Sequence, residues 1–248
     1  MPAAATRPLA TVERAVTVLD ALAAAPDGLG TVEVARATGT NASTASRLLA
    51  TLAAAGLVER GPRWRLGLRL VELGEAVLAR LDVRALGRPF LEALARDTGE
   101  TATLSAPGDE AAVTVDFVTS AATTVSLARL GRPSLPHATA AGKVLLAFGG
   151  VAFPRKRDAL TDRTITEEGA LRAEVERVRS RGWAEAVRER ERDLNALAAP
   201  VLDRRGALAA IVGLQGPAAR LTTQRRKEIL PALLDACDQL SARLGAAS

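Results

Sequence analysis

Between residues 31 and 66, helical and strand patterns follow one another within a very short length, and this stretch restricts the fold more than any other. Apolar residues spaced along Val32 to Thr38 predict a short helix. Gly39 ends it, because glycine readily adopts the left-handed conformation found at helix ends. A second helix then begins at Thr40 or Asn41, since either side chain can accept hydrogen bonds from first-turn amides.

The second helix is expected to run to about Ala55, with one buried and one exposed face. Its apolar residues recur at helical spacing and form a stripe of Ala45, Leu48, Leu49 and Leu52. The residues off this stripe should face outward: Ser43, Ser46, Arg47 and Ala50. Gly56 ends the helix, and residues 57–60 and 63–66 are predicted strands joined by a turn at 61–62.

Two helices joined by a tight turn and followed by a hairpin make the layout of a winged helix-turn-helix. In such a domain the second helix enters the major groove of DNA and the hairpin contacts the backbone beside it. Short polar side chains can read base edges, and arginine can neutralise phosphates. Between Arg36 and Arg65 there is one acid, Glu59, and there are five arginines: Arg36, Arg47, Arg60, Arg63 and Arg65. The alternative is a small helical subdomain whose basic face is only solvated.

Length and composition exclude several other classes of protein. The 248 residues suffice for one or two domains with a substantial core. No apolar run approaches the roughly 20 residues that cross a bilayer, and the N-terminus lacks the pattern of a secretion signal. The single cysteine, Cys237, falls in an apolar stripe, which fits a core position and excludes an internal disulfide. Because the chain has only one cysteine and one histidine, a zinc site formed by protein side chains is not expected. We expect a cytoplasmic protein without a metal or other cofactor.

The chain is expected to divide into four segments. Residues 1–8 form a flexible arm, and residues 9–67 form the winged helix-turn-helix domain, whose first helix runs from about Val12 to Ala24 after a cap at Thr11. Residues 68–82 form a linker helix that is apolar on more than one side, so we interpret it as a connector that helps two subunits pair. Alternatively, it packs on its own domain alone.

Residues 83–248 are predicted to form an α+β domain around a largely antiparallel sheet. The strands are rich in Val and Thr, and the helices begin at capping residues such as Thr139, Thr166, and Thr222 or Thr223. Residues 131–136 are predicted to form a loop. The predicted helices are 84–98, 139–147, 167–181 and 223–244, and the predicted strands are 101–106, 111–118, 123–129, 183–187, 196–201 and 207–215.

Several stretches along the chain together carry a family resemblance. In chain order they are TVERAVTVLDAL, TGTNASTASRLLATLAAAGLVER, LPHATAAGKVLLAF, RTITEEGALRAEVERVRSRGWA, LAAPVLDRRGALAAIVGLQGPAARLT and the closing helix. Over nearly its whole length the chain thereby resembles the IclR family of transcriptional regulators. The resemblance implies a winged helix, a linker helix and an effector-binding domain related to GAF domains. It also implies a dimer or tetramer that binds a pseudo-palindromic operator as a repressor or activator and responds to small organic acids or aromatic metabolites.

The resemblance assigns DNA-reading positions in the second helix. Ser43, Thr44, Ser46 and Arg47 occupy them, and three of these four also face outward by helix geometry. Thr44 lies near the edge of the buried stripe, so its alternative role is to support the cap. Asn41 stands where the family often has proline, and is either a cap or a DNA contact.

The resemblance further implies an effector cavity between the sheet and the loop around LPHATAAGK. Ala140, Ala141 and Gly142 match main-chain ligand positions, and amides at a helix start would suit a carboxylate. The alternative is that these small residues serve close packing alone. His137 is expected to make a structural hydrogen bond rather than contact a ligand.

The chain departs from the family where members that bind small keto acids place an acid, a cysteine and two serines. The corresponding residues are Ala186, Ala196, Gly213 and Gln215. Loss of polar anchors makes a pocket roomier and more apolar, so we expect an effector larger or less polar than glyoxylate or pyruvate, such as an aromatic acid or a lactone. Glu189 and Asn195 lie nearby in sequence, but strand alternation should point Asn195 away from the cavity. Alternatively, the pocket binds nothing and the domain only assembles subunits.

Other functions have weaker support in the sequence. The G-x-S-x-G, G-x-G-x-x-G and Walker patterns are absent, which leaves a hydrolase using a serine and His137 as the weakest alternative. The mixed-charge run at residues 188–193, RERERD, is interpreted as a solvated loop between strands. The remaining alternative is a ligand-binding or scaffold protein without sequence-specific DNA binding, and mutation of Arg47 would distinguish it from a regulator.

Overall fold

The computed structural model describes residues 9–78, 82–120 and 128–246. These residues form two compact units, with the division near residue 80. The first unit contains α1 (Ala10–Ala23), α2 (Thr31–Ala37), α3 (Ala42–Ala54), β1 (Val58–Arg60), β2 (Trp64–Leu66) and α4 (Arg69–Leu78). The second contains α5 (Asp82–Thr98), β3 (Thr101–Ala106), β4 (Ala112–Val118), β5 (Pro133–Ser134), α6 (Ala140–Phe148), α7 (Glu168–Arg181), β6 (Ala184–Val187), β7 (Leu194–Leu202), β8 (Leu208–Pro217) and α8 (Thr223–Arg243).

The first unit has a small apolar core between three helices and a hairpin. Val18 of α1, Val34 of α2 and Leu49 of α3 are fully buried. Val58 of β1 is buried in the same core. β1 and β2 pair antiparallel, and Trp64 also bridges to Leu29, which ties the hairpin to the segment before α2. The structure therefore confirms the predicted winged helix-turn-helix layout.

One prediction about a helix end in this unit is wrong. Thr11 does not cap α1, because the helix begins at Ala10 and its N-cap residue is Leu9, which makes no side-chain cap bond. Of the predicted linker helix at 68–82, the part Arg69–Leu78 forms α4, and residues 79–81 lie outside the described residues. A capping side chain is not required at an exposed helix end, because water can satisfy the first amides.

The second unit is built on a six-stranded sheet in the order β5-β4-β3-β8-β7-β6, and every pair of neighbours is antiparallel. Helices α6 and α7 bury an apolar cluster against one face, where Val144, Leu171 and Ile211 are inaccessible to solvent. Helices α5 and α8 pack against β3 and β7. Strands with helices packed on them confirm the predicted α+β class.

Local predictions in the second unit have mixed outcomes. Thr139 and Thr222 cap α6 and α8, and Gly182 ends α7 in the left-handed conformation, as expected. Thr166 does not cap α7, because the N-cap residue is Glu167 and it makes no side-chain cap bond. The predicted loop at 131–136 contains the short strand β5. The predicted strand at 123–129 falls mostly outside the described residues, and its last two residues, 128 and 129, are not in a strand.

Helices long and apolar enough to cross a membrane are absent from the part of the chain that the structure describes.

Candidate DNA-binding surface and ligand cavity

Helix α3 separates its buried and exposed residues as the periodicity predicts. Ala45, Leu48, Leu49 and Leu52 are buried against α1 and α2. Ser43, Ser46, Arg47 and Ala50 are exposed, and Thr44 is half-buried at the boundary. The exposed face is thus short, polar and singly charged, which suits insertion of the helix into a groove lined with base edges.

Asn41 is the N-cap of α3. Its Oδ1 accepts a hydrogen bond from the amide of Thr44 at 2.8 Å. Of the two candidate caps, the structure therefore selects Asn41, and Thr40 instead lies 3.0 Å from the hydroxyl of Thr38. Asn41 is exposed, so the residue that caps α3 is also accessible to solvent.

The hairpin is fixed to the helices by hydrogen bonds around Trp64. The indole Nε1 donates to Thr31 Oγ1 at 3.0 Å, and the backbone of Trp64 exchanges two hydrogen bonds with Leu29. Gly28, with φ at +79°, lies so close to Trp64 that a Cβ there would stand 2.6 Å from its carbonyl oxygen. Glycine is therefore required at the point where the chain before α2 passes the hairpin.

The four arginines outside α3 differ in their surroundings. Arg63 Nε donates to the carbonyl of Gly28 at 2.8 Å, and its Nη2 pairs with Glu33 at 2.5 Å. The pKa of Glu33 lies below its ordinary value, first because the amide of Gly30 donates to the carboxylate and then because Arg63 does. The Arg60 guanidinium lies 5.6 Å from the centre of the Trp64 ring, whereas Arg36 and Arg65 are exposed.

Glu33 lies just before residues 36–65, and its negative charge offsets part of the positive charge of the arginines there. Because Arg63 is bonded to Glu33 and to the carbonyl of Gly28, it holds the hairpin in place, and the sequence spacing did not reveal this role. Arg36, Arg47, Arg60 and Arg65 remain the solvent-facing cations of this unit that are suited to meet phosphates.

In the second unit a cavity lies between the sheet and the start of α6. Its floor consists of small or polar residues that lie side by side on neighbouring strands. Gly213 pairs with Thr103 on one side and with Ala198 on the other, and Ala196 pairs with both Ala186 and Gln215. The space amounts to about 70 Å³. On this measure one water molecule needs about 10–15 Å³, so the cavity has room for a small organic molecule.

Six of the seven residues predicted for effector binding line this cavity, namely Ala140, Ala141, Ala186, Ala196, Gly213 and Gln215. Ala140 and Ala141 open helix α6, so their amides belong to the first turn, where the helix itself supplies no acceptor. The cavity therefore has a main-chain surface suited to an anion.

Gly142 does not line the cavity. Its amide donates to Thr139 Oγ1 at 3.0 Å, and a Cβ on it would stand 2.3 Å from the carbonyl oxygen of Leu135. The structure thus favours the packing alternative for Gly142, because a cap and a close backbone approach already account for the glycine.

The interpretation of residues 188–193 as a solvated loop is wrong for half of the run. Glu189, Arg190 and Glu191 line the cavity, and Glu189 is only 8% exposed. The run joins β6 to β7 at the end of the sheet where Ala186 pairs with Ala196, so the connection has to pass the cavity. That topology was the missing signal, because charge patterning alone cannot place a loop over a cleft.

Charged and hydroxyl groups restore the polarity that the family anchors would have supplied. Lys143 is 2% exposed, and its Nζ donates to Glu189 Oε1 at 2.7 Å and to the carbonyl of Glu185 at 2.8 Å. Burial raises the pKa of the Glu189 carboxyl, although Lys143 acts in the opposite direction. Further polar residues that the sequence did not assign to the cavity also line it: Ser105, Thr114, Arg132 and Ser134.

The two remaining predictions about single residues agree with the structure. His137 Nε2 lies 3.1 Å from the carbonyl oxygen of Asp158, and the residue is outside the cavity lining. Asn195 also lies outside it, with Nδ2 donating to the carbonyl of Leu221 at 2.9 Å. Clusters of His, Cys, Asp and Glu that could hold a metal are not found among residues 9–78, 82–120 and 128–246.

Comparison with known proteins identifies the two units. The family model of the IclR helix-turn-helix domain matches residues 11–62, and that of the bacterial transcriptional regulator IclR C-terminal domain matches residues 75–242. The glycerol operon regulatory protein of Streptomyces griseus is 34% identical over 249 residues, covering 97% of this chain and 98% of its own length. The HTH-type transcriptional regulator BhcR of Paracoccus denitrificans is 30% identical, with coverage of 93% and 85%.

Solved structures agree with this assignment. An IclR transcriptional regulator from Silicibacter sp. TM1040 is similar with a TM-score of 0.80 and 28% identity, covering 96% of this chain and 97% of its own. An IclR homologue from Microbacterium hydrocarbonoxydans, solved in complex with 4-hydroxybenzoate, shares the fold with a TM-score of 0.76 at 21% identity, covering 96% and 100%. The chain therefore belongs to the IclR family of transcriptional regulators.

Proposed function

We propose that this protein binds a pseudo-palindromic operator as a cytoplasmic dimer or tetramer, and that a small organic acid in the cavity changes its affinity for DNA. The observation that carries the DNA-binding half is the division of α3 into a buried apolar face and an exposed face of Ser43, Ser46 and Arg47. This combination places short hydrogen-bonding groups and one cation on the helix that enters the major groove in winged domains.

Within this proposal the side chains have different roles. Ser43, Ser46 and Arg47 contact base edges or adjacent phosphates, and Thr44 supports them from the edge of the face. Arg36, Arg60 and Arg65 neutralise phosphates, and Asn41 caps α3 beside the DNA. Arg63 acts indirectly, because its ion pair with Glu33 holds the hairpin in position.

Pairing of two copies is supported by apolar side chains left exposed in the first unit. Val12 and Val16 on α1 are 58% and 51% exposed, and Val71 and Leu73 on α4 are 59% and 49% exposed. Val12 and Val16 lie one helical turn apart on the same face of α1, and neighbouring exposed apolar side chains mark sites of protein–protein interaction. Two paired winged helices would then read the two half-sites of the operator.

The effector in this proposal is an organic acid larger than glyoxylate or pyruvate. Ala186, Ala196 and Gly213 leave space where other members carry polar side chains, and the first-turn amides of α6 suit a carboxylate. The effector alters DNA binding only to the extent that it binds two arrangements of the protein with different affinities, and the effect is reciprocal.

The proposal predicts that Arg47→Ala weakens operator binding by roughly 1–3 kcal/mol and lowers its salt dependence. The measurement is fluorescence anisotropy with the full-length protein, labelled DNA flanking its own gene, and a salt series with random DNA as competitor. Arg96→Ala is the control, because Arg96 is a 71% exposed arginine of the other unit.

Specific binding that falls steeply with log salt supports a regulator. Equal and undiminished specific binding by wild type and Arg47→Ala would contradict the assignment of the exposed face of α3 as the reading surface. Binding by both proteins that is no tighter than to random DNA would favour a ligand-binding or scaffold role.

A further inference from the structure

A buried acceptor without a partner marks one wall of the cavity. Glu189 is 8% exposed, and its Oε1 receives hydrogen bonds from Lys143 Nζ at 2.7 Å and from the amide of Val187 at 3.3 Å. Its Oε2 is also buried, and no hydrogen-bond partner for it is present among the described residues. Because a buried oxygen without a donor is unfavourable, this position favours a ligand that brings a hydrogen-bond donor.

The backbone holds Glu189 in this position. Arg188 before it has a φ of 58°, the one left-handed conformation adopted by a non-glycine residue in the described chain. Thr161 Oγ1 donates to the carbonyl of Arg188 at 2.6 Å, and Thr164 Oγ1 donates to the carbonyl of Glu189 at 2.6 Å. A strained backbone fixed by two hydroxyl groups is typical of a side chain whose direction matters for binding.

Two guanidinium groups lie on the same cavity. Arg132 and Arg190 both line it, and both pair with the same oxygen of Glu191, Arg190 through Nε at 3.4 Å. The pKa of Arg190 is lowered by burial and then by the positive charge of Arg132. An anionic group placed beside both arginines would reduce this repulsion, and arginine binds carboxylates and phosphates in a bidentate geometry.

We propose that the effector is a hydroxylated organic anion, whose acidic group lies against Arg132, Arg190 and the first amides of α6, and whose hydroxyl group donates to Glu189 Oε2. This inference deepens the proposed function, because it concerns the same cavity. It assigns Glu189 and Arg190 as specificity-determining residues in place of the polar anchors that Ala186, Ala196 and Gly213 lack. A carboxylate and a phosphate ester share this chemistry.

The first test is a set of matched ligands titrated calorimetrically into the full-length protein without DNA. Glycerate is compared with propanoate, which lacks the hydroxyls, and with glycerol, which lacks the acid. 4-Hydroxybenzoate is compared in the same way with benzoate and phenol, and glycerol 3-phosphate tests a phosphate in place of the carboxylate. We expect the hydroxylated anion of at least one set to bind about tenfold or more tightly than both of its analogues, because a site built to bind a hydroxyl rejects a ligand without it.

Two substitutions then assign the groups. Glu189→Gln keeps an oxygen for Lys143 but replaces the anionic acceptor Oε2 by a neutral amide nitrogen, from which a ligand hydroxyl can only accept a hydrogen bond. Because the charge-assisted bond to the carboxylate is lost, the preference for the hydroxylated anion over its deoxy analogue should fall severalfold. Arg190→Met should weaken binding of the anion about tenfold and leave the neutral alcohol unaffected. Arg192→Met is the matched control, because Arg192 belongs to the same run but is exposed and outside the cavity lining.

The inference is overturned if the anions bind no better than their analogues, if no ligand of the set binds, or if Glu189→Gln retains the hydroxyl preference undiminished. Should Glu189→Gln fail to fold because Lys143 is buried, the wild-type comparison alone still decides the outcome. These titrations contain no DNA, so failure of operator binding and failure of this inference are distinguishable.

Discussion

At the scale of single residues, capping side chains fix where the functional helices begin. Asn41 begins α3 and Thr139 begins α6, each by accepting a hydrogen bond from an amide three residues later. Helix α3 carries the candidate DNA-reading face, and helix α6 begins at the cavity. The caps therefore set the position of both candidate sites.

The structure predicts different consequences for two substitutions of Asn41. Asn41→Ala removes the acceptor for the amide of Thr44 and should lower the free energy of unfolding by about 1 kcal/mol. Asn41→Asp keeps the acceptor, so stability should be retained, but the added negative charge should weaken DNA binding. Urea denaturation and anisotropy on the same preparations separate the two effects. Equal DNA affinity for wild type and Asn41→Asp would mean that residue 41 lies away from the DNA.

At the scale of elements, the start of α6 depends on a close approach between backbones. The third residue of this helix, Gly142, lies against residues 135–136, whose chain leads into the helix. A side chain there would push the helix away from the segment between β5 and α6. The packing at the start of α6 therefore requires glycine.

Gly142→Ala should accordingly destabilise the protein, because its Cβ would lie 2.3 Å from a backbone oxygen that cannot easily move. Gly169→Ala is the matched control in the first turn of α7, where a Cβ meets nothing within 4 Å. Alanine is favoured over glycine in a helix, so the control should gain roughly 0.5–1 kcal/mol. Thermal unfolding measures both. A gain for both variants would show that the loop at 135–136 adapts readily.

At the scale of the whole molecule, α8 closes the second unit by covering the sheet beside β7. Cys237 on α8 is 2% exposed and its Sγ lies 3.7 Å from the carbonyl oxygen of Ala199. Burial raises the pKa of this thiol far above its ordinary value. The single cysteine of the chain therefore reports whether α8 is docked.

We predict that Cys237 reacts with an aromatic disulfide reagent only when the second unit unfolds, because the thiolate is the reactive species and the buried thiol stays protonated. Labelling rates across a urea series should follow the global unfolding measured by circular dichroism. Rapid labelling in the absence of denaturant, with circular dichroism unchanged, would instead show that α8 opens locally.

The sequence alone determined the elements and their buried faces. The stripe of α3, the hairpin after it, and the strand and helix order of the second unit follow from local periodicity and from glycine and capping residues, which act within a few positions of the chain. The six predicted residues that line the cavity were found for a different reason, because the family resemblance supplied their positions.

Only the tertiary structure decided how distant charges meet. The ion pair of Arg63 with Glu33 joins residues 30 positions apart, and that of Lys143 with Glu189 joins residues 46 apart. Local charge patterning predicted residues 188–193 to be solvated, but the β6–β7 connection carries Glu189, Arg190 and Glu191 onto the cavity. Burial and charge pairing depend on which segments the sheet brings together, and that information is absent from any short window of sequence.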